Sequence, residues 1–91
     1  MRLEWSVAAV SDLARLHAFL APVAPDAADR AIESLLAAAR RLQTFPRMGR
    51  RLPRYEPDEV RRIVVGSYDM RYQLHDDAIM ILRVWHTREH R

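Results

Sequence analysis

The chain has no cysteine, no lysine, only two glycines and no long apolar run. Without cysteine, disulfides and thiolate metal sites are excluded, and without lysine neither a Schiff base nor a lysine general base can form. No segment reaches the roughly 18 apolar residues of a membrane-spanning helix, and no apolar signal-peptide core follows the first residues. We therefore expect a cytoplasmic protein that uses neither thiol nor amine chemistry.

What the chain has in abundance is arginine. All fifteen basic residues are arginines, against twelve acidic ones, so that the net charge is +3 and the pI about 10.2. Guanidinium groups suit the bidentate binding of phosphates and carboxylates. The composition, 49% hydrophobic and 30% charged, is typical of a globular protein, and we expect residues 1–91 to form one domain with a modest core. Since the usual enzyme motifs are missing, we expect the function to depend on a surface and not on a pocket.

The first half of the chain predicts a short strand and two helices. Residues 2–5 alternate in polarity, as in a strand. Ser6 is a good helix N-cap, and the apolar spacing that follows predicts a helix over residues 7–21. A second helix is predicted to begin at Pro25 and to end before Pro46. Because only a few residues join them, the two helices should form an antiparallel hairpin.

The second half predicts a small sheet. After an irregular, basic connection over residues 45–59, strands are predicted at 60–65, 68–74 and 78–85. Asp76 and Asp77 form a candidate two-residue hairpin turn. The predicted fold class is therefore α+β, with an N-terminal strand and a two-helix hairpin packed on a small, mainly antiparallel sheet.

The hairpin turn also predicts a register for the last two strands. On the face expected to pack on the helices it pairs Tyr68, Met70, Tyr72 and Leu74 with Trp85, Arg83, Ile81 and Ile79. Arg83 is out of place on such a face, and we expect it to reach solvent at the edge or to pair with an acid. The second face carries Asp69 and Arg71, which could serve a partner.

Five short motifs follow one another along the chain. They are Trp5–Ser6, Asp12–Leu13, FPRMGR at 45–50, YDMRY at 68–72 and VWHTRE at 84–89. In this order and spacing they resemble the toxins of the RelE/ParE superfamily, from bacterial type II toxin–antitoxin systems, over nearly the whole chain. The superfamily fold, a helical hairpin on a small and mainly antiparallel sheet, agrees with the fold predicted from the residues.

The resemblance implies two possible activities. RelE-type members cut messenger RNA in the ribosomal A site. On this sequence their basic residues would correspond to Arg61, Arg62 and Arg88, with His86 moving the proton. ParE-type members are not nucleases and poison DNA gyrase.

Two departures from the RelE pattern favour the gyrase inhibitor. Asp69 stands where RelE-type members carry a middle-strand arginine, and an acid there would repel a phosphate. The chain also reaches Arg91 without a C-terminal tyrosine, and its V-x-H-x-R ending is more ParE-like. We therefore expect no catalytic residues, with the ribosome-dependent endoribonuclease as the alternative. A further alternative is a non-toxic module that binds an antitoxin or nucleic acid.

The resemblance also implies the partners. A cognate ParD-like antitoxin would form a hetero-oligomer with the chain, its C-terminal segment wrapping the helices and the sheet. The target would be DNA gyrase or, in the alternative, the ribosome and mRNA. No cofactor and no metal are expected, since His86 and His90 lack an evident third ligand. The residues expected to contact the target or the antitoxin are Arg47, Arg50, Arg51, Arg54, Arg71, His86, Arg88 and Arg91.

Overall fold

The computed structural model describes residues 1–89, which form two α-helices and a five-stranded sheet. The elements are β1 (Arg2–Trp5), α1 (Val7–Leu20), α2 (Pro25–Leu42), β2 (Arg50–Arg51), a 3₁₀ turn (Pro53–Tyr55), β3 (Glu59–Val65), β4 (Tyr68–His75) and β5 (Ala78–His86). The strand order is β1-β5-β4-β3-β2, and β1 runs parallel to β5 while the other neighbours are antiparallel. The predicted α+β fold class is confirmed.

Local sequence signals determine where the helices begin. The Ser6 side chain accepts a hydrogen bond from the Ala9 N–H at 2.9 Å and so satisfies one of the free donors at the start of α1. Pro25 occupies the first turn of α2, where its missing N–H costs nothing. The predicted helix bounds are right to within one residue at the end of α1, which stops at Leu20.

The core lies between the helices and one face of the sheet, here called the covered face. Leu35 and Leu42 of α2 have no exposed surface, and neither do Met70, Tyr72 and Ile79 of the sheet. The alternation along β4 places every second side chain on this face. The opposite face of the sheet, which no helix covers, is called the open face.

The predicted register between the last two strands is wrong beyond Tyr72. Leu74 pairs with Ile79 and Tyr72 with Ile81, as expected, but a β-bulge then shifts the pairing so that Arg71 lies opposite Arg83. The extra residue in β5 returns Val84 to the covered face, where it is fully buried. A charged Arg83 thereby leaves the face where burial would have been costly.

Trp85 moves with Arg83. It lies opposite Asp69, on the open face, and not opposite Tyr68 in the core as predicted. A bulge leaves no clear signal in a pattern of alternation, which is why the simple hairpin register failed here.

The connection over residues 45–59 is more ordered than predicted. It contains β2, which pairs with the outer side of β3, and the 3₁₀ turn. Gly49 approaches Tyr72 so closely that an added Cβ would lie 2.7 Å from the phenolic oxygen. That hydroxyl accepts from the Gly49 N–H at 2.9 Å and donates to the Pro46 carbonyl at 2.8 Å. The FPRMGR motif is thus tied to the middle of the sheet.

Neither helix in the described part of the chain has the length and apolar character needed to span a membrane.

Candidate functional site

The open face of the sheet concentrates arginines from three strands and from the loop beside them. Arg62 of β3 and Arg71 of β4 are cross-strand partners, and Arg50 of β2 pairs with Arg62 on its other side. Arg54 extends this row from the 3₁₀ turn. Like charges on neighbouring strands repel one another, so this arrangement requires compensation.

Part of that compensation comes from Asp69. Its carboxylate is fully buried and accepts a hydrogen bond from Arg62 Nε at 2.5 Å. The sequence predicted that this acid would oppose a bound phosphate. In the structure it lies beneath the surface and is engaged with an arginine, so its charge is directed at a neighbour in the protein.

A tyrosine hydroxyl holds two more of the arginines. Tyr55 accepts hydrogen bonds from Arg71 Nη1 at 3.0 Å and from Arg54 Nη2 at 3.2 Å. Partial burial alone would raise the pKa of the Tyr55 hydroxyl, but the two guanidinium groups outweigh it and lower that pKa below its ordinary value. Sequence reasoning missed Tyr55, because its neighbour Arg71 is distant in the chain.

Trp85 supports the same cluster from the side. The guanidinium carbons of Arg71 and Arg83 each lie 4.9 Å from its ring centroid, within the range of cation–π attraction. The indole is therefore engaged with arginines.

These side chains surround a shallow depression of about 370 Å³, which we call the basic concavity. Its lining residues are Arg50, Leu52, Pro53, Arg54, Arg62 and Arg71. Four guanidinium groups thus meet at one site, with the Asp69 carboxylate below one of them. The arrangement is suited to binding an anion.

Arg47 and Arg61 lie elsewhere. Arg61 Nε and Arg47 Nε each donate to the Glu59 carboxylate at 2.9 Å, and Arg61 Nη1 also donates to the Gly49 carbonyl at 2.7 Å. The hydrogen bond from Arg47, followed by that from Arg61, holds the pKa of Glu59 below its usual value despite desolvation. Both arginines therefore hold the β2 connection against β3.

A second feature that sequence reasoning missed is the exposed edge of β5. Strand β1 pairs with residues 78–81, so that within residues 1–89 the outer side of β5 has no neighbouring strand from Leu82 onward. The Ser6 hydroxyl donates to the Leu82 carbonyl at 2.8 Å, and Asp12 accepts from the Val84 N–H at 2.8 Å. Asp12 also accepts from Arg83 Nε at 2.8 Å.

Asp12 is nearly fully buried. Its desolvation would raise the carboxyl pKa, but the hydrogen bonds from Arg83, from the Val84 N–H and from Arg15 outweigh it and lower that pKa. The hydrogen bond from Arg83 to Asp12 also raises the pKa of the Arg83 guanidinium. The side chains of Ser6 and Asp12 thus occupy the backbone groups of β5 that would otherwise bind an incoming strand. Only the family motif Asp12–Leu13 pointed to this residue in the sequence.

The segment over residues 86–89 folds against the same helix. Glu89 accepts from the His86 N–H at 2.7 Å and from Arg15 Nη1 at 2.6 Å. The His86 ring lies edge-on to Tyr68, with 5.5 Å between the ring centroids. Next to these residues is a groove of about 730 Å³, which we call the C-terminal groove. Its lining is Arg15, Leu16, Phe19, Leu20, Ser67, Tyr68, His86, Arg88 and Glu89.

Comparison with known proteins identifies the family. The model of the family described as "ParE toxin of type II toxin-antitoxin system, parDE" matches residues 3–91. The chain belongs to the ParE toxin family. The resemblance seen in the motifs is confirmed, and this ParE-family protein is the toxin component of a type II toxin–antitoxin system.

Two relatives illustrate the relationship. A protein named "Toxin RelE3" from Caulobacter vibrioides is 34% identical over 84 residues, which cover 88% of this chain and 87% of that protein. A structure titled "Chromosomal ParDE TA system from P. aeruginosa" superposes with a TM-score of 0.78, at 22% identity, over 94% of this chain and 95% of the other. The second match shows the shared fold.

The contact residues predicted for this ParE-family toxin fall into separate places. Arg50, Arg54 and Arg71 meet in the basic concavity, whereas His86 and Arg88 line the C-terminal groove. Arg47 binds Glu59, and Arg51 lies 4.0 Å from the carboxylate of Glu56. Arg91, like His90, lies outside the described residues. Within residues 1–89 no cluster of three or more metal-ligating side chains is present.

Proposed function

We propose that this ParE-family toxin inhibits DNA gyrase and does not cleave mRNA. The observation that carries the proposal is that Arg61, Arg62 and His86, which a RelE-type nuclease would use together with Arg88, do not converge at one site. Arg61 and Arg62 are adjacent in β3, so their side chains leave opposite faces of the sheet. Arg61 pairs with Tyr72 and His86 pairs with Tyr68, four residues away along β4, which corresponds to about 13 Å.

The hydrogen bonds of Arg61 and Arg62 also argue against a nuclease. Arg61 is bound to Glu59 and to the Gly49 carbonyl, and Arg62 is bound to buried Asp69. Phosphodiester cleavage requires cationic groups directed at the phosphate together with a group that moves a proton. Inhibition of gyrase requires only a complementary surface, for which His86 and Arg88 are the candidates.

The test is a pair of activity assays on purified toxin. We expect inhibition of supercoiling by gyrase, and no A-site cuts when programmed ribosomes are incubated with the toxin. Expression without antitoxin should induce the DNA-damage response and filamentation. If ribosomes instead yield A-site cuts that His86→Ala or Arg88→Ala abolishes, the chain is a nuclease and the proposal is wrong.

We also propose that a ParD-like antitoxin neutralises the toxin in a hetero-oligomer. The related structure is titled a ParDE system, which supports this partner. The C-terminal groove offers apolar side chains from α1 and Tyr68, and Arg15 and Arg88 lie at its margin. An amphipathic, acidic segment would bury its apolar side there and place its carboxylates near the arginines.

Phe19 provides the sharpest test of that surface. Its side chain is 85% exposed, so Phe19→Ala should leave the free energy of unfolding unchanged while weakening antitoxin binding. Phe45→Ala is the matched control, since Phe45 is also exposed but lies outside the groove. The association rate should also fall as salt is raised, because unlike charges steer the encounter. Equal affinities for the two variants would place the antitoxin elsewhere.

A further inference from the structure

The basic concavity of the open face shares no lining residue with the C-terminal groove assigned above to the antitoxin. We propose that it is a phosphate-binding site, and that its ligand is the sugar–phosphate backbone of a nucleic acid, bound without base specificity. The proposal does not depend on which enzyme the toxin inhibits, since it concerns a site with its own residues and its own geometry.

The basic concavity carries an excess of positive charge. Of the four guanidinium groups that line the concavity, Arg62 is the one that binds a carboxylate among residues 1–89, through Asp69. Arg50 and Arg54 are exposed and extend toward the same depression. Four positive charges and one negative charge therefore leave an excess of three at a single small site. Such a local excess attracts polyanions and concentrates them at the surface.

Two of the guanidinium groups in the basic concavity are already held in place by the protein. The Tyr55 hydroxyl accepts a hydrogen bond from Arg54 and another from Arg71, and this orients both guanidinium groups before a ligand arrives. Arg71 Nε is buried and has no hydrogen-bond partner within residues 1–89. Because that nitrogen has no accessible surface, a ligand in the concavity would meet the Nη groups of Arg71.

The number of donors favours phosphate over carboxylate. Two arginines satisfy a carboxylate in this molecule, as Arg47 and Arg61 do for Glu59. Four guanidinium groups around one depression match the several acceptor oxygens of a phosphate or of successive phosphates.

The aromatic side chains beside the site favour binding of the sugar–phosphate backbone over recognition of the bases. Two aromatic rings beside the site could stack on a base, but both are engaged with arginines, Trp85 with Arg71 and Arg83 and Tyr55 with Arg54. Binding through phosphates alone carries no sequence information. We therefore expect similar affinities for oligonucleotides of different sequence and a steep dependence on salt.

The experiment uses the full-length toxin with two probes, inorganic phosphate and a short single-stranded oligonucleotide. Inorganic phosphate, titrated at constant ionic strength against chloride, should shift NMR signals of Arg54, Tyr55 and Arg71. Arg71→Gln and Arg54→Gln should each weaken oligonucleotide binding by about tenfold. Each should also reduce the slope of log affinity against log salt by about 0.7. Arg30→Gln removes the same charge from the exposed surface of α2 and should have little effect.

Tyr55→Phe separates a built site from diffuse charge. It keeps all the arginines and removes only the acceptor that orients two of them, so affinity should fall by about threefold with the salt slope unchanged. The proposal is overturned if Arg30→Gln weakens binding as much as Arg71→Gln. It is also overturned if inorganic phosphate binds but the oligonucleotide does not, or if an acidic peptide of equal charge binds more tightly. Circular dichroism of each variant verifies folding, and exposed Arg54 keeps the test decisive if Arg71→Gln does not fold.

Discussion

The two faces of the sheet use the same alternating backbone for different purposes. The covered face presents Met70, Tyr72 and Val84 to the helices, and their full burial contributes to the hydrophobic stabilisation. The open face presents arginines that are held by Asp69, Tyr55 and Trp85. Residues that stabilise the fold and residues available for recognition thus lie on different faces of the sheet, because adjacent residues in a strand point to opposite faces.

The strongest way to break the covered face is Leu35→Ala. Leu35 of α2 has no exposed surface, so its truncation removes buried apolar area and leaves a cavity. We expect the free energy of unfolding to fall by roughly 2–5 kcal/mol, measured by denaturant titration. A loss near zero would mean that the helices do not pack on the sheet as described.

Asp12→Asn tests the outer edge of β5, where the Asp12 side chain binds a backbone N–H. The Asp12 carboxylate accepts hydrogen bonds from Arg83 and from the Val84 N–H. Removing its charge should lower the free energy of unfolding by about 2 kcal/mol. The Asp12 pKa is lowered in the folded state, so its stabilising contribution is complete above the unfolded pKa of about 3.9 and is lost as the pH falls through the folded value. The stability difference between wild type and variant should therefore shrink below about pH 4. A difference that stays constant down to pH 2 would contradict the assigned role of the carboxylate.

Tyr72→Phe sharpens the comparison by removing a single hydroxyl from the covered face. It leaves the Pro46 carbonyl and the Gly49 N–H without their common partner, so we expect a cost of about 1 kcal/mol. Hydrogen exchange should show the Gly49 amide losing protection while the amides of β5 keep theirs. Unchanged protection at Gly49 would show that this bond does not hold the connection.

Arg54→Gln should have the smallest effect on stability. Arg54 is exposed, and it makes a hydrogen bond and a cation–π contact with Tyr55, so the free energy of unfolding should change by less than about 0.5 kcal/mol. Together with the binding loss expected at the basic concavity, this result would place recognition on the open face. A loss of stability as large as that of Leu35→Ala would remove the distinction between the faces.

The site was less predictable than the fold for a physical reason. The arginines at 50, 54 and 71 were expected to meet a partner, but the sequence held no sign that Tyr55 orients two of them. It also gave no sign that Asp69 lies buried under Arg62. Arg54 and Tyr55 are adjacent in the chain, but the other two contacts join residues seven or more positions apart through the pairing of strands and the path of a loop. Charge pattern alone cannot specify which side chains converge.

By itself, the sequence determined the elements and the family. Proline positions, the Ser6 cap and the apolar spacing predicted the helices, alternation predicted the strands, and five motifs in order indicated the superfamily. Only the tertiary structure decided the bulge that moves Arg83 and Trp85 to the open face. It also decided the sealing of the β5 edge by Asp12 and the separation of Arg61 from His86. Elements follow from local conformational preference and periodicity, whereas these features depend on which strands meet and in which register.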